Sequence, residues 1–310
     1  MDSQSDHVAR RLADDLLAIG EGLDSFINGL PEVGPQPGSS GHQDLSLDQG
    51  QGSVSLAGAI AFVTIAVASD HLRSTYGLIV DRLGGVAVHR YAIYSVLRVA
   101  MEVAALTWWL VDKDVSAKSR LTRALTVMEN SRRMRENSEK LLTPSNDLAY
   151  LAAVRDAIEA EARKHNLQKI TSRFDAGLKV AIPDAVDLVA NQFAKIVLTE
   201  TSARNAVAIY GGMSEHMHGN VFGVMSGFGP PDQERVLHPD VSLPSLATAA
   251  QFSAHGVVAA MLELVAYMGW DKDRWIDISS TGQSDLEKVV AEARSLTPVE
   301  EAGGVIAPGA

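Results

Sequence analysis

The strongest chemical feature of this sequence is a pair of charged residues, Arg98 and Glu102, inside the apolar segment 95–111. Their four-residue spacing places both side chains on one stripe of a helix, along which Trp109 also falls. An unpaired ion in a protein interior is costly, so these charges must pair, reach other polar groups or face a wet cavity. Such a pair either orders the core or receives a small polar ligand.

A second candidate group is the histidine pair of the motif EHMHG, His216 and His218. Residues two apart on a helix point about 200° away from each other, so the two imidazoles cannot share one metal unless the backbone is extended there. We expect His218 to point inward beside Ser214, and His216 to face solvent. A lone inward histidine is more often a hydrogen-bonded core residue than a catalyst. No metal site and no cofactor are predicted.

A basic segment follows the apolar one. Residues 113–140 hold eight Lys or Arg against four Asp or Glu, in a chain whose formal net charge is −11. The simpler interpretation is a solvated helix face; the functional one is an anion-binding surface that includes Arg120 and Arg123. The acidic net charge disfavours nucleic acid as a partner, because like charges repel a polyanion.

The sequence lacks the motifs of several large enzyme classes. It has no G-x-S-x-G, no G-x-x-x-x-G-K, no H-E-x-x-H and no G-x-G-x-x-G before a strand. It also has no Cys, which rules out disulfides and thiolate metal sites and suits a reducing cytoplasm. Whether the chain is an enzyme stays open.

The elements that would position these residues are all predicted to be helices. No strand alternation appears, so the predicted fold class is all-α, a single multi-helix bundle domain with a loosely tethered N-terminal helix. The predicted parts are an N-terminal amphipathic helix in residues 1–30, a flexible linker at 31–53, a helical domain at 54–296 and a disordered tail at 297–310. Helical periodicity covers residues 6–28, 54–82, 91–112, 115–142, 147–166, 193–211, 246–269 and 284–295. A further helix can run over 214–228.

Two segments are apolar enough to be tested as membrane spans. Residues 54–69 are 16 in number, fewer than the roughly 20 that a bilayer needs. The second segment, residues 91–112, carries Arg98 and Glu102 near its centre, where a charged side chain is unfavourable in a bilayer. We therefore expect a cytoplasmic protein without membrane contact.

Three motifs in a fixed order resemble a poorly characterised helical family of actinobacteria and their phages. They are DHLRSTYGLIVDR, then YSVLRVAMEVAALTWWLVD followed by Arg120-x-x-Arg123, and later YGGMSEHMHG. The resemblance implies a shared helical fold and a polar cluster. Its members here are Arg98, Glu102, Tyr210, Ser214 and His218.

The chain is also remotely similar to the HEPN helical ribonucleases of toxin and phage-defence systems. Their motif places an Arg and a His a few residues apart on one helix, and Arg82 and His89 have that spacing. Gly84 and Gly85 lie between them and depart from the continuous helix that the motif needs.

Three functional hypotheses follow. The first is a non-enzymatic binding or interaction protein, with Trp109, Tyr210, Ser214, Arg120 and Arg123 as ligand contacts. It takes a small polar or anionic ligand, or a second copy through Trp108 and Trp109.

The second hypothesis is a metal-independent ribonuclease. His218 would act as general acid or base, Arg98 would stabilise the charge of the phosphorane, and the basic helix from Arg120 to Arg135 would hold the strand. Arg98, Glu102 and His218 are the candidate catalytic residues of the chain. The third is a metal-dependent helical enzyme that uses Glu102, His218 and Asp70.

Overall fold

The structure is a computed structural model of the chain, and it confirms an all-α fold. It describes residues 3–30, 34–48, 53–80, 86, 90–141, 147–170, 173–175, 183–197, 200–217 and 243–296. Within these ranges there are ten helices: α1 Ser3–Asn28, α2 Ser40–Asp48, α3 Leu56–Ile79, α4 Arg90–Val111, α5 Ala117–Leu141, α6 Asp147–Lys164, α7 Ala185–Val197, α8 Glu200–Met217, α9 Leu243–Met268 and α10 Lys272–Ser295.

The centre of the molecule is formed by α4 and α9, which pack against each other. On its other sides α4 is covered by α3, α7 and α8, which is why its sequence is apolar almost all round. Helix α9 is covered by α10, α3 and α1. The main hydrophobic core runs through all of these helices, while α5 and α6 enclose a smaller second cluster.

Within the described ranges, three helices are long and apolar enough to cross a membrane by length and composition: Leu56–Ile79, Ala92–Val111 and Leu243–Met268. In α4 and in α9, more than half of the most apolar stretch is buried inside the protein. In α3, less than half of this stretch is buried. Helix α3 exposes Val63 and Val67 on its outer face. The absence of membrane contact therefore stays a prediction.

Helix α1 is not the loosely tethered element that the sequence suggested. Its apolar stripe, which includes Leu12, Leu16 and Phe26, is buried against α3 and α10. Arg11 forms a 2.5 Å ion pair with Glu292 of α10. The prediction of a loose helix was based on the linker predicted at 31–53. The apolar stripe of α1, however, buries enough surface to hold this helix in the core, whatever segment follows it.

The segment predicted as a flexible linker contains α2, and one acidic residue anchors this helix in the interior. Both carboxylate oxygens of Asp44 accept hydrogen bonds from Arg120 of α5, at 2.7 and 2.8 Å. Tyr267 of α9 donates to the same carboxylate at 2.8 Å and lies 2.6 Å from the hydroxyl of Ser55. Only 3% of each charged side chain is exposed. Gly41 lets α2 approach α9 closely, because a Cβ at this position would lie only 3.1 Å from the Tyr267 ring.

Several predicted boundaries also change. Helix α8 continues through Gly211 and Gly212, which were expected to end it. Helix α10 begins at Lys272 rather than at 284, because Asp271 caps it by accepting from the backbone N–H groups of residues 273 and 274. A short antiparallel hairpin, β1 Gln168–Ile170 and β2 Arg173–Asp175, lies between the helices predicted at 147–166 and 193–211, where no strand was predicted. The predicted tail and most of the 214–228 helix lie outside the described residues.

The Asp44–Arg120 pair gives a test of the α2 anchor. Truncating either residue to Ala should lower the free energy of unfolding by about 3–5 kcal/mol, because the remaining charge is buried without its partner. The double variant Asp44→Leu/Arg120→Met should lose less than the two Ala variants combined. Urea denaturation measures all of these, with the exposed Arg155→Ala as the control. Equal losses for Arg155→Ala and Arg120→Ala would contradict a buried anchor.

A second test concerns Asp15, at the junction of α1 with α10. Its Oδ2 is buried and has no hydrogen-bond partner among the described residues. Burial, followed by the charge of Asp285, raises the pKa of Asp15 to about 6; Asp14 also raises it, while Arg11 and Lys288 lower it. The folded state therefore prefers the protonated acid, and this stabilisation is present below about pH 4 and lost as the pH rises through 6.

We expect Asp15→Asn to be more stable than the wild type at pH 8, by about 1 kcal/mol after solvent screening. The difference should disappear at pH 4. Thermal denaturation at both pH values measures it, with the exposed Asp14→Asn as the control. The same stability gap at pH 4 and pH 8 would show that the carboxylate at position 15 does not titrate in this range.

Candidate functional site

Three of the residues predicted to form a polar cluster meet where α4 packs against α8. Arg98 donates from Nη2 to Oε1 of Glu102 at 3.2 Å and to the hydroxyl of Tyr210 at 2.8 Å. The hydroxyl of Tyr210 in turn donates to Oε1 of Glu102 at 2.6 Å. The guanidinium also lies 5.0 Å from the centre of the tyrosine ring. Residues more than one hundred positions apart thus form one closed hydrogen-bonded triangle.

The triangle is only partly shielded from solvent. Tyr210 is buried, whereas 14% of the Arg98 side chain and 28% of the Glu102 side chain are exposed. Burial, with a smaller effect from the hydrogen bond to Glu102, raises the pKa of Tyr210 to about 12. The phenol therefore stays protonated at neutral pH and acts as a hydrogen-bond donor to the carboxylate. The pair is less deeply buried than the surrounding apolar sequence suggested.

Glu102 uses only one of its two oxygens within the described part of the chain. Both Arg98 and Tyr210 donate to Oε1, and no described group donates to Oε2. An ionised carboxylate can accept about four hydrogen bonds in total. This side chain therefore keeps acceptor capacity on a partly exposed oxygen whose orientation is fixed by two neighbours.

The remaining members of the predicted cluster are placed less fully. Ser214 lies one helical turn beyond Tyr210 on α8 and is half-buried. His218 lies outside the described residues, as do Arg82 and His89, and the side chain of His216 is not described. The catalytic role of His218 therefore stays a prediction.

Trp109 and Arg123 belong to a different polar cluster, at the end of α4. The Arg123 guanidinium lies 4.7 Å from the centre of the Trp109 ring and 3.7 Å from Asp112. Burial lowers the pKa of Arg123, although Asp112 opposes this effect. Lys195 of α7 covers the neighbouring ring of Trp108 at 4.7 Å and binds Asp112 at 3.3 Å. These rings are therefore packed against cations of the same chain.

Arg120 lies in neither cluster. It belongs to the α2 anchor, where hydrogen bonds from its guanidinium to Asp44 and to two backbone carbonyl groups hold it in place. Burial alone would lower the pKa of Arg120, but Asp44 raises it above its ordinary value. The predicted role of Arg120 as a ligand contact has no geometric support here.

The basic helix α5 neutralises much of its own charge. Arg132 binds Glu129 at 2.8 Å and Glu136 at 2.5 Å, and Arg135 binds Glu139 at 2.7 Å. These pairs agree with a solvated or internally paired helix face better than with a surface for a polyanion.

Asp70 does not contribute to the cluster. It is exposed on α3 and lies 3.5 Å from Arg73, with which it forms a surface ion pair. Among the described residues, no group of three or more His, Asp or Glu side chains is arranged to hold a metal ion.

Sequence reasoning missed Asp44, Tyr267, Asp112 and Lys195. Asp44 stands alone in a stretch without helical periodicity, and Lys195 reads as an ordinary surface lysine. Neither carries a local signal, because each acquires its partner from a helix far away in the sequence.

Comparison with known proteins found no match among family models, curated proteins or solved structures. The resemblance to the actinobacterial and phage family therefore stays a prediction. The case for a function depends on the geometry of the α4–α8 cluster.

Tyr210→Phe tests whether the triangle is formed in solution. Removing the hydroxyl deletes the donor to Glu102 and the acceptor for Arg98, and should lower the free energy of unfolding by about 1–3 kcal/mol. Tyr150→Phe is the matched control, because Tyr150 is 68% exposed and should lose almost nothing. Chemical denaturation of both variants measures the difference. Equal stability of the two variants would contradict the triangle.

Proposed function

We propose that this chain is a non-enzymatic helical binding protein, and that its α4–α8 cluster receives a small polar ligand through Glu102. The observation that carries the proposal is the open oxygen Oε2 of a carboxylate whose other oxygen is held by Arg98 and Tyr210. A carboxylate held in this way is oriented before a ligand arrives, so little conformational entropy is lost on binding.

The chemistry of the open oxygen indicates the class of ligand. An ionised carboxylate only accepts hydrogen bonds, so the ligand must bring a donor such as an amine, an amide N–H or a hydroxyl. Arg98 compensates part of the negative charge, which favours an uncharged donor over a strongly cationic one. The ligand must also be small, because Glu102 is only partly exposed between two helices.

No described observation favours the two enzymatic hypotheses over this one. A ribonuclease needs a free basic surface, which the ion pairs of α5 reduce. A metal enzyme that uses Asp70 loses that ligand to the surface pair with Arg73. The binding hypothesis therefore requires fewer features that the described residues do not support than either enzymatic hypothesis does.

Two further features belong to the proposal. A cytoplasmic location suits a chain without cysteine. Self-association through Trp108 and Trp109 is less well supported, because each is only 7% exposed and is covered by a cation of its own chain.

The proposal is tested with ligand-observed NMR on a mixture of small amides, amines and polyols. Compounds that bind the wild type should bind Glu102→Gln at least about tenfold more weakly, since a hydrogen bond to a charged group is worth about 1.5–3 kcal/mol. Asp70→Asn is the matched control, because it removes a carboxylate from an exposed surface position. Binding that is equal in Glu102→Gln and wild type, or absent for every compound, would overturn the proposal.

A further inference from the structure

A groove of about 420 Å³ lies between α4, α8, α9 and the end of α10, separate from the α4–α8 cluster. Its volume falls within the roughly 300–1,000 Å³ of known small-molecule sites. Neither Arg98, Glu102 nor Tyr210 lines it, although Tyr94 and Met213 lie one helical turn from the cluster on their helices. The lining residues are Tyr94, Ile209, Gly212, Met213, Pro244, Ser245, Thr248, Ala249 and Arg294.

The walls of this groove are mostly apolar. Tyr94, Ile209, Met213, Pro244 and Ala249 contribute hydrocarbon surface, and no carboxylate is among the lining residues that the structure describes. An apolar concave surface is poorly solvated by water and favours an apolar occupant. A Cβ built at Gly212 would meet no atom of the described residues within 4 Å, so this side of the groove has room for a larger side chain.

One positive charge stands at the edge of the groove. Nη2 of Arg294 lies 3.4 Å from the hydroxyl oxygen of Thr248 and 3.4 Å from the side-chain oxygen of Gln251. Both are long contacts to neutral acceptors, and no described carboxylate lies within ion-pair distance of this guanidinium. By contrast, Arg98, Arg120 and Arg132 each bind a carboxylate. Arg294 therefore keeps its charge and most of its five N–H donors available.

We propose that this groove binds a small apolar molecule with a single carboxylate, such as a medium-chain fatty acid. The hydrocarbon chain lies along the apolar walls, and the carboxylate pairs with Arg294. A planar guanidinium matches a carboxylate through two parallel hydrogen bonds, which a neutral head group cannot reproduce. A single cation beside apolar walls suits one acid group rather than a polyanion.

The charge contribution is tested by isothermal titration of the full chain with octanoate and with 1-octanol, which share a chain length. The wild type should bind octanoate at least about tenfold more tightly than octanol, because only the acid can pair with Arg294. Arg294→Gln should remove this preference and leave octanol binding unchanged. The control, Arg163→Gln, removes an exposed arginine of α6 and should keep the preference.

The location of the binding site is tested with Gly212→Leu, in which the new side chain would enter the groove. This variant should weaken the binding of both compounds without lowering the melting temperature, because Leu favours a helix more than Gly does. Absence of octanoate binding to the wild type would overturn the proposal. So would an unchanged preference for the acid in Arg294→Gln, or octanoate binding by Gly212→Leu that equals that of the wild type.

Discussion

The structure depends on one electrostatic constraint, namely that an ionisable group carried into the helical interior must find a partner there or, like Asp15, favour its uncharged form. Two adjacent helices, α4 and α5, carry most of these charges, and their partners come from distant elements. Tyr210 reaches Arg98 from α8, Asp44 reaches Arg120 from α2, and Lys195 reaches the end of α4 from α7. Because an unpaired buried charge is so unfavourable, these contacts fix how the outer helices sit on the central pair.

The three polar clusters differ in how far they are shielded, and the binding role proposed for the α4–α8 cluster depends on this difference. The Asp44–Arg120 pair is enclosed, and each nitrogen of the guanidinium and each oxygen of the carboxylate has a hydrogen-bond partner within the protein. The Arg98–Glu102 pair is partly open and leaves a carboxylate oxygen without a described donor. A fully satisfied network has no capacity for a ligand, whereas a partly open one on rigid helices does.

Much of the fold could be predicted from the sequence, because long helices with strong periodicity dominate it. The apolar run around Arg98 predicted a buried central helix with a polar stripe, and the structure has that helix at Arg90–Val111. Helix α2 could not be predicted in this way, since its nine residues have little apolar periodicity and depend on tertiary contacts of Asp44. The predicted end of a helix at Gly211 was wrong for a similar reason. The flanking residues Tyr210 and Met213 are buried, and their packing keeps α8 continuous through both glycines.

The ion pair between Arg11 and Glu292 joins helices at opposite ends of the described chain, 281 positions apart. A contact of this range closes late, because the intervening chain must be ordered before the two helices can meet. During synthesis from the N-terminus, the side of α1 that faces α10 stays uncovered until α10 has emerged. The order of translation thus exposes part of the apolar stripe of α1 until α10 has been made.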